Sequence, residues 1–106
     1  MSNWIKITEV ENVPMMGSRI VILDDTEIAI FKTKDNSIFA LDNQCKREDG
    51  KTSEKLSEGL VHEHTVTCVI YAWNIDLETG FVENEPDYST KTYETKVEEG
   101  IIYLSL

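Results

Sequence analysis

The chain has 106 residues, 41% of them apolar and 28% charged, so a single domain with its own core is expected, and neither disorder nor dependence on disulfides fits. Lys and Arg number 10 against 20 Asp and Glu, a net charge of −10 that repels phosphate backbones and anionic lipid, so nucleic acid and membrane surfaces are not expected partners. No apolar run approaches the 18 residues a membrane span needs, and the start MSNWIKITEVEN has neither the basic nor the apolar region of a secretory leader. A cytoplasmic location is therefore expected, where the two cysteines, Cys45 and Cys68, would be reduced.

In chain order, Thr8 to Val13 is the one helix-like piece, a single turn in which Thr8 would cap with Glu11 three residues on and Pro14 would stop it. Short alternating segments follow. Ser18 to Leu23 places Ile20 and Ile22 on one face and Val21 and Leu23 on the other. Glu27 to Thr33 and Ser37 to Leu41 are β-branched or aromatic runs, too short for helices. The intervening Asp24-Asp25-Thr26 and Lys34-Asp35-Asn36 have hairpin-turn composition. Lys46 to Lys55 is ten residues without an apolar side chain, holding four of the ten basic residues, and reads as a solvated loop, functional or mobile. Thr65 to Ile70, Trp73 to Leu77, Phe81-Val82, Lys91 to Val97 and Ile101 to Leu106 complete the strand-like runs. Glu98-Glu99-Gly100 forms the last turn, with glycine where positive φ is cheap. Pro86 is expected to shape a third loop near the tip that carries the cysteines, or simply a turn. Eight or more strands at this spacing predict an all-β antiparallel sandwich or barrel.

The chemistry concentrates around the cysteines. Each sits at the end of a strand-like run, in ALDNQCKR and TVTCVIYAW, on either side of the polar loop and LSEGLV. His62 and His64 lie two apart in His-Glu-His. A polar hairpin turn is the favoured reading, and weak metal ligation the alternative. A zinc site made of Cys45, Cys68, His62 and His64 is formally open, but structural zinc usually takes tight ligand pairs and both cysteines are isolated. A disulfide between the cysteines stays open too, provided their Cα atoms lie within about 7 Å. Trp73 and Tyr71 read as core packing beneath the loop tips.

WIKI, EIAIFKT, SIFALDNQC, LSEGLVHEHTVTC, WNIDLETG and KTYETKVEEGIIYL together resemble a Rieske-type domain, and more closely the small subunit of cytoplasmic NAD(P)H-dependent assimilatory nitrite reductase. The resemblance implies a Rieske-like fold over 1–106, with a base of 1–42 and 77–106 and an inserted β subdomain of 43–76. It also implies a 2Fe-2S site held by Cys-x-His in one loop and Cys-x-x-His in another. Cys45 and Cys68 match that pattern; Arg47 and Tyr71 stand where the histidines belong. Arginine has no lone pair to offer a metal, and a phenol with a reference pKa near 10 is expected to be neutral.

No cluster, no other metal and no catalytic residue are therefore expected on this chain. The resemblance further implies a large partner subunit that carries FAD, 4Fe-4S and siroheme and reduces nitrite to ammonium. This chain would then be a non-catalytic subunit that supports assembly. The alternatives are a Rieske ferredoxin-like electron carrier, which needs the cluster, and a cluster-free scaffold whose loops were replaced naturally or by engineering. No nucleophile–base constellation and no Gly-rich phosphate loop points to a free-standing hydrolase or transferase.

Overall fold

The computed structural model describes residues 4–43, 45–46, 53–68, 73–83 and 85–105. Among them the regular elements are strands and two single-turn 3-10 helices. β1 (Trp4–Glu9) leads through the first 3-10 turn (Val10–Asn12) to β2 (Gly17–Leu23), β3 (Thr26–Lys32) and β4 (Ile38–Asp42). β5 (Cys45–Lys46) pairs antiparallel with β6 (Ser53–Glu54), and the second 3-10 turn (Leu56–Glu58) follows. Then come β7 (Leu60–His62), β8 (Thr65–Thr67), β9 (Asn74–Asp76), β10 (Phe81–Val82), β11 (Glu85–Ser89), β12 (Thr92–Glu98) and β13 (Ile101–Ser105).

Six strands form one antiparallel sheet in the order β1-β13-β12-β4-β3-β2, and five form a second in the order β11-β10-β9-β8-β7. The first sheet thus joins the two ends of the chain, and the second draws on residues 60–89.

β3 explains how they pack. Its run Ile28-Ala29-Ile30-Phe31 is fully buried, so both of its faces are covered. Ile28 and Ile30 join Val13, Ile38, Ala40, Ile102 and Leu104 in one core. For β13 side chains to meet those of β3, the six-stranded sheet must curl over itself. Ala29 and Phe31 face the other way and join Leu41, Leu56, Val66, Cys68, Ile75, Leu77 and Val82 in a second core, between the two sheets. A strand covered on both faces reads as a continuous apolar run rather than an alternating one. β3 and β4 are the shared wall.

The turns carry the chemistry expected of them. Asp24 and Asp25, with φ of 50° and 62°, close the β2–β3 hairpin as a two-residue turn, and Glu99 and Gly100, at 51° and 77°, close β12–β13 likewise. Three sequence expectations need correction. Thr8 lies within β1 and does not cap the 3-10 turn: its hydroxyl accepts from Asn12 Nδ2 at 3.0 Å, and Glu9 occupies the cap position without a side-chain bond. Three residues before a proline are too few for an α-helical turn with a capping box. Pro86 lies inside β11, not in a turn. β11 is an edge strand, where a residue without an N–H interrupts no ladder. The polar stretch after Cys45 is a paired ribbon at both its ends, Lys46 lying opposite Ser53.

Candidate functional site

The segment bearing the first cysteine leaves β4 through Asp42 and Asn43, and two polar anchors fix its direction. Tyr93, on β12, donates its hydroxyl to Asp42 Oδ1 at 2.5 Å, and the Asp42 N–H donates to Lys91 O at 2.9 Å. Burial, then the bond and the charge of Asp42, push the Tyr93 phenol up to about 12.

Asn43 is 2% exposed and uses both ends of its amide. Its Nδ2 donates to Glu27 Oε1 at 2.7 Å, its Oδ1 accepts from the Ser57 N–H at 2.7 Å, and its own N–H donates to Glu27 O at 2.9 Å. Lys55 Nζ lies 3.5 Å from the same Glu27 oxygen, and Ser18 on β2 donates its hydroxyl to Ser57 O at 3.0 Å. With Leu56 wholly buried in the inter-sheet core, both ends of the β5–β6 ribbon are thereby tied to β3. Sequence reasoning passed over Asn43. Its signal was a carboxamide directly after an apolar strand and two positions before a cysteine, where a short polar side chain bonds neighbouring backbone readily.

The second cysteine follows β8 directly. Cys68 is a free thiol, 2% exposed, packed among the apolar side chains of the inter-sheet core. Its N–H donates to Trp73 O at 2.9 Å, which pins the two ends of the segment between them. Trp73 is half-buried against the same core, as expected from the sequence. Cys45 does not end the β4 run; it opens the separate strand β5. Arg47 and Tyr71 lie outside the described residues.

His-Glu-His forms the β7–β8 hairpin: His62 ends β7, and Glu63 and His64 make the turn, Glu63 at φ 53°. Both histidines are exposed. His62 has Thr65 opposite it. His64 reaches across to the β3–β4 turn, where its Nε2–H donates to Asp35 Oδ2 at 3.2 Å and its ring sits 5.4 Å from that of Phe39. The buried Thr33 hydroxyl donates to the other oxygen of Asp35. That bond first, and the one from His64 second, hold the Asp35 carboxyl well below the usual carboxylate range. This clasp links the two sheets beside a pocket of about 400 Å³ lined by Thr33, Lys34, Asp35, Glu63 and His64. Among the described residues no group of three His, Cys, Asp or Glu side chains is placed to hold a metal ion.

A curled antiparallel sheet topped by a smaller sheet, with a cysteine in each of two segments at the join, defines the class. The chain belongs to the family of Rieske-like 2Fe-2S domains, whose profile matches residues 3–105. It is similar to the nitrite reductase (NADH) small subunit of Escherichia coli, with 27% identity over 98% of both chains. The solved structure of the Escherichia coli protein NirD superposes with a TM-score of 0.84 at 25% identity, covering 100% of this chain and 98% of that one. A chain from Mycobacterium tuberculosis described as an NADH-dependent nitrite reductase small subunit gives 0.85 at 23% identity, covering 100% and 96%. An oxygenase–ferredoxin complex of carbazole 1,9a-dioxygenase gives 0.82 at 16% identity, with 98% of this chain on 28% of that one, which is a likeness of fold alone.

The donor set expected from the sequence does not fit the family's cofactor. Two thiolates and two imidazoles hold a Rieske cluster. From the sequence, Cys45, Arg47, Cys68 and Tyr71 are expected at those positions, and Arg47 and Tyr71 lie outside the described residues. A guanidinium is acceptor-free and permanently charged, so it adds repulsion where a donor is required. His64 is bonded to Asp35.

Proposed function

We propose that the chain is the small subunit of a cytoplasmic NAD(P)H-dependent nitrite reductase serving nitrate assimilation, and that it works without a cluster, as an accessory that supports assembly of a large catalytic subunit. The observation that carries the reading is the end-to-end match to the Escherichia coli nitrite reductase (NADH) small subunit, which spans 98% of both chains and is not confined to a shared motif. The absence of the cluster follows from ligand chemistry at Arg47 and Tyr71.

Electron transfer, nitrite reduction and the FAD, 4Fe-4S and siroheme they require fall to the partner. This chain supplies a rigid acidic body, and a net charge of −10 speeds its encounter with a basic surface. Co-expression with the large subunit tests the assembly claim: the two should co-purify, and deleting this chain should lower nitrite reductase activity. Iron and acid-labile sulfide on the isolated chain should be far below stoichiometric. Stoichiometric iron and sulfide with visible thiolate-to-iron absorption would favour the electron-carrier reading instead.

A further inference from the structure

The two edges of the six-stranded sheet are protected unequally. β1, at one edge, breaks register between Lys6 and Thr8 and carries a lysine, both of which discourage pairing by a further strand. β2, at the other edge, pairs with β3 in unbroken register over seven residues, Gly17 opposite Lys32 through Leu23 opposite Thr26. Among the described residues no strand lies on its far side. From Met15 to Leu23 the chain has one charged side chain, Arg19, in a protein that is 28% charged. That stretch also holds four of the eight exposed large apolar side chains among the described residues: Met15 at 53%, Met16 at 36%, Ile20 at 40% and Ile22 at 68%.

The isoleucines have a defined place. Ile20 lies opposite Ala29 and Ile22 opposite Glu27, on the sheet face that builds the inter-sheet core. Ser18, on that same face, is covered by the Leu56–Glu58 turn through its bond to Ser57 O. Ile20 and Ile22 continue the face beyond that cover, into solvent. An unbroken, largely apolar edge of this kind is what β-augmentation uses: main-chain bonds give affinity and alternate side chains give specificity.

We propose that β2 docks a β-strand of the large subunit, an inference that rests on the functional reading above. Charge selects this occupant over a second copy of the chain. A dimer would bring two bodies of charge −10 together, which opposes association. Asp24 and Asp25 close the strand at one end, so the incoming strand carries Lys or Arg at that end and apolar residues against Ile20 and Ile22.

The test is binding of the purified full-length chain to the purified large subunit of the same source. Ile20→Thr/Ile22→Thr keeps β-branched strand formers and should leave the thermal midpoint nearly unchanged, while weakening binding at least about tenfold. Asp24→Asn/Asp25→Asn, tolerated at positive φ, should flatten the salt dependence of the on-rate. Leu60→Thr, an equally exposed leucine on β7, is the control and should bind as the parent does. Parent-like binding by the isoleucine variant, or a homodimer at micromolar concentration that the variant abolishes, overturns the proposal.

A second arm separates this surface from the functional reading. A seven-residue peptide alternating valine and lysine is titrated onto the chain and amide exchange is followed. Protection confined to Gly17–Leu23 supports the surface. Protection elsewhere, or none, overturns it. If the large subunit does not bind the parent chain but the peptide protects β2, the functional reading and the named occupant fall and the docking edge stands.

Discussion

Asn43 offers the sharpest check on how this fold holds its candidate site. Replacing it by alanine removes the Nδ2 bond to the Glu27 carboxylate and the Oδ1 acceptor of the Ser57 N–H, both at 2.7 Å. A hydrogen bond to a charged group contributes about 1.5–3 kcal/mol and a neutral one about 1 kcal/mol. Glu27 keeps Lys55 at 3.5 Å, so its loss is softened, whereas the half-buried Ser57 N–H is left without that acceptor. A total of about 2–4 kcal/mol is expected, and at about 4–8 °C per kcal/mol for a domain of this size the thermal midpoint should fall by roughly 8–32 °C.

Asn43→Asp refines the test. The carboxylate still accepts from Ser57 but faces Glu27 where Nδ2 stood, so like charges meet in place of a bond. This variant should be the weaker of the two near neutral pH and should recover part of its stability as pH falls towards 4–5, where one of the paired carboxyls takes a proton and can donate. Urea unfolding of both variants at pH 5 and pH 8 measures this. A loss under about 0.5 kcal/mol for alanine, or no pH dependence in the aspartate variant relative to the parent, would refute the idea that Asn43 ties the two ends of the β5–β6 ribbon to β3.

Two further outcomes follow from the geometry. Gly80 and Gly100 share positive φ, 81° and 77°, but a Cβ on Gly80 would sit 2.0 Å from Thr90 O while one on Gly100 would meet nothing within 4 Å. Gly100→Ala should therefore lose only the backbone preference, about 1 kcal/mol, and Gly80→Ala distinctly more; equal losses in denaturant melts would contradict the close approach of the β9–β10 turn to Thr90. The Tyr93 phenol is raised from 10.0 to about 12 in the folded chain, so the stability linked to it is complete below pH 10 and is lost as pH climbs from 10 to 12, when the unfolded chain ionises first. Tyr93→Phe should be less stable near pH 7 through loss of the Asp42 bond, and should lose less on raising pH from 9.5 to 11.5 than the parent does; parallel pH profiles would contradict it.

Much of the fold was legible because the strand period and the turn composition are local properties. Asp24-Asp25 and Glu99-Gly100 announce tight hairpins whatever surrounds them, and the alternating runs locate β2, β12 and β13 within a residue or so. That Arg47 offers no lone pair to a metal is likewise a property of its own side chain. What remained hidden was non-local. That Ile28-Ala29-Ile30-Phe31 serves two cores depends on the six-stranded sheet curling to one side while the five-stranded sheet covers the other. That Asn43 meets Ser57, and Asp35 meets His64, depends on contacts 14 and 29 residues apart in the chain. That Ile22 is exposed whereas Ile28 is buried follows only from which strand of the sheet lies at its edge. Sequence fixes what each side chain can do, because that is a matter of its own bonds and charges. Position in the sheet order decides which of those capacities is used, because burial and pairing are set by neighbours that arrive from distant parts of the chain.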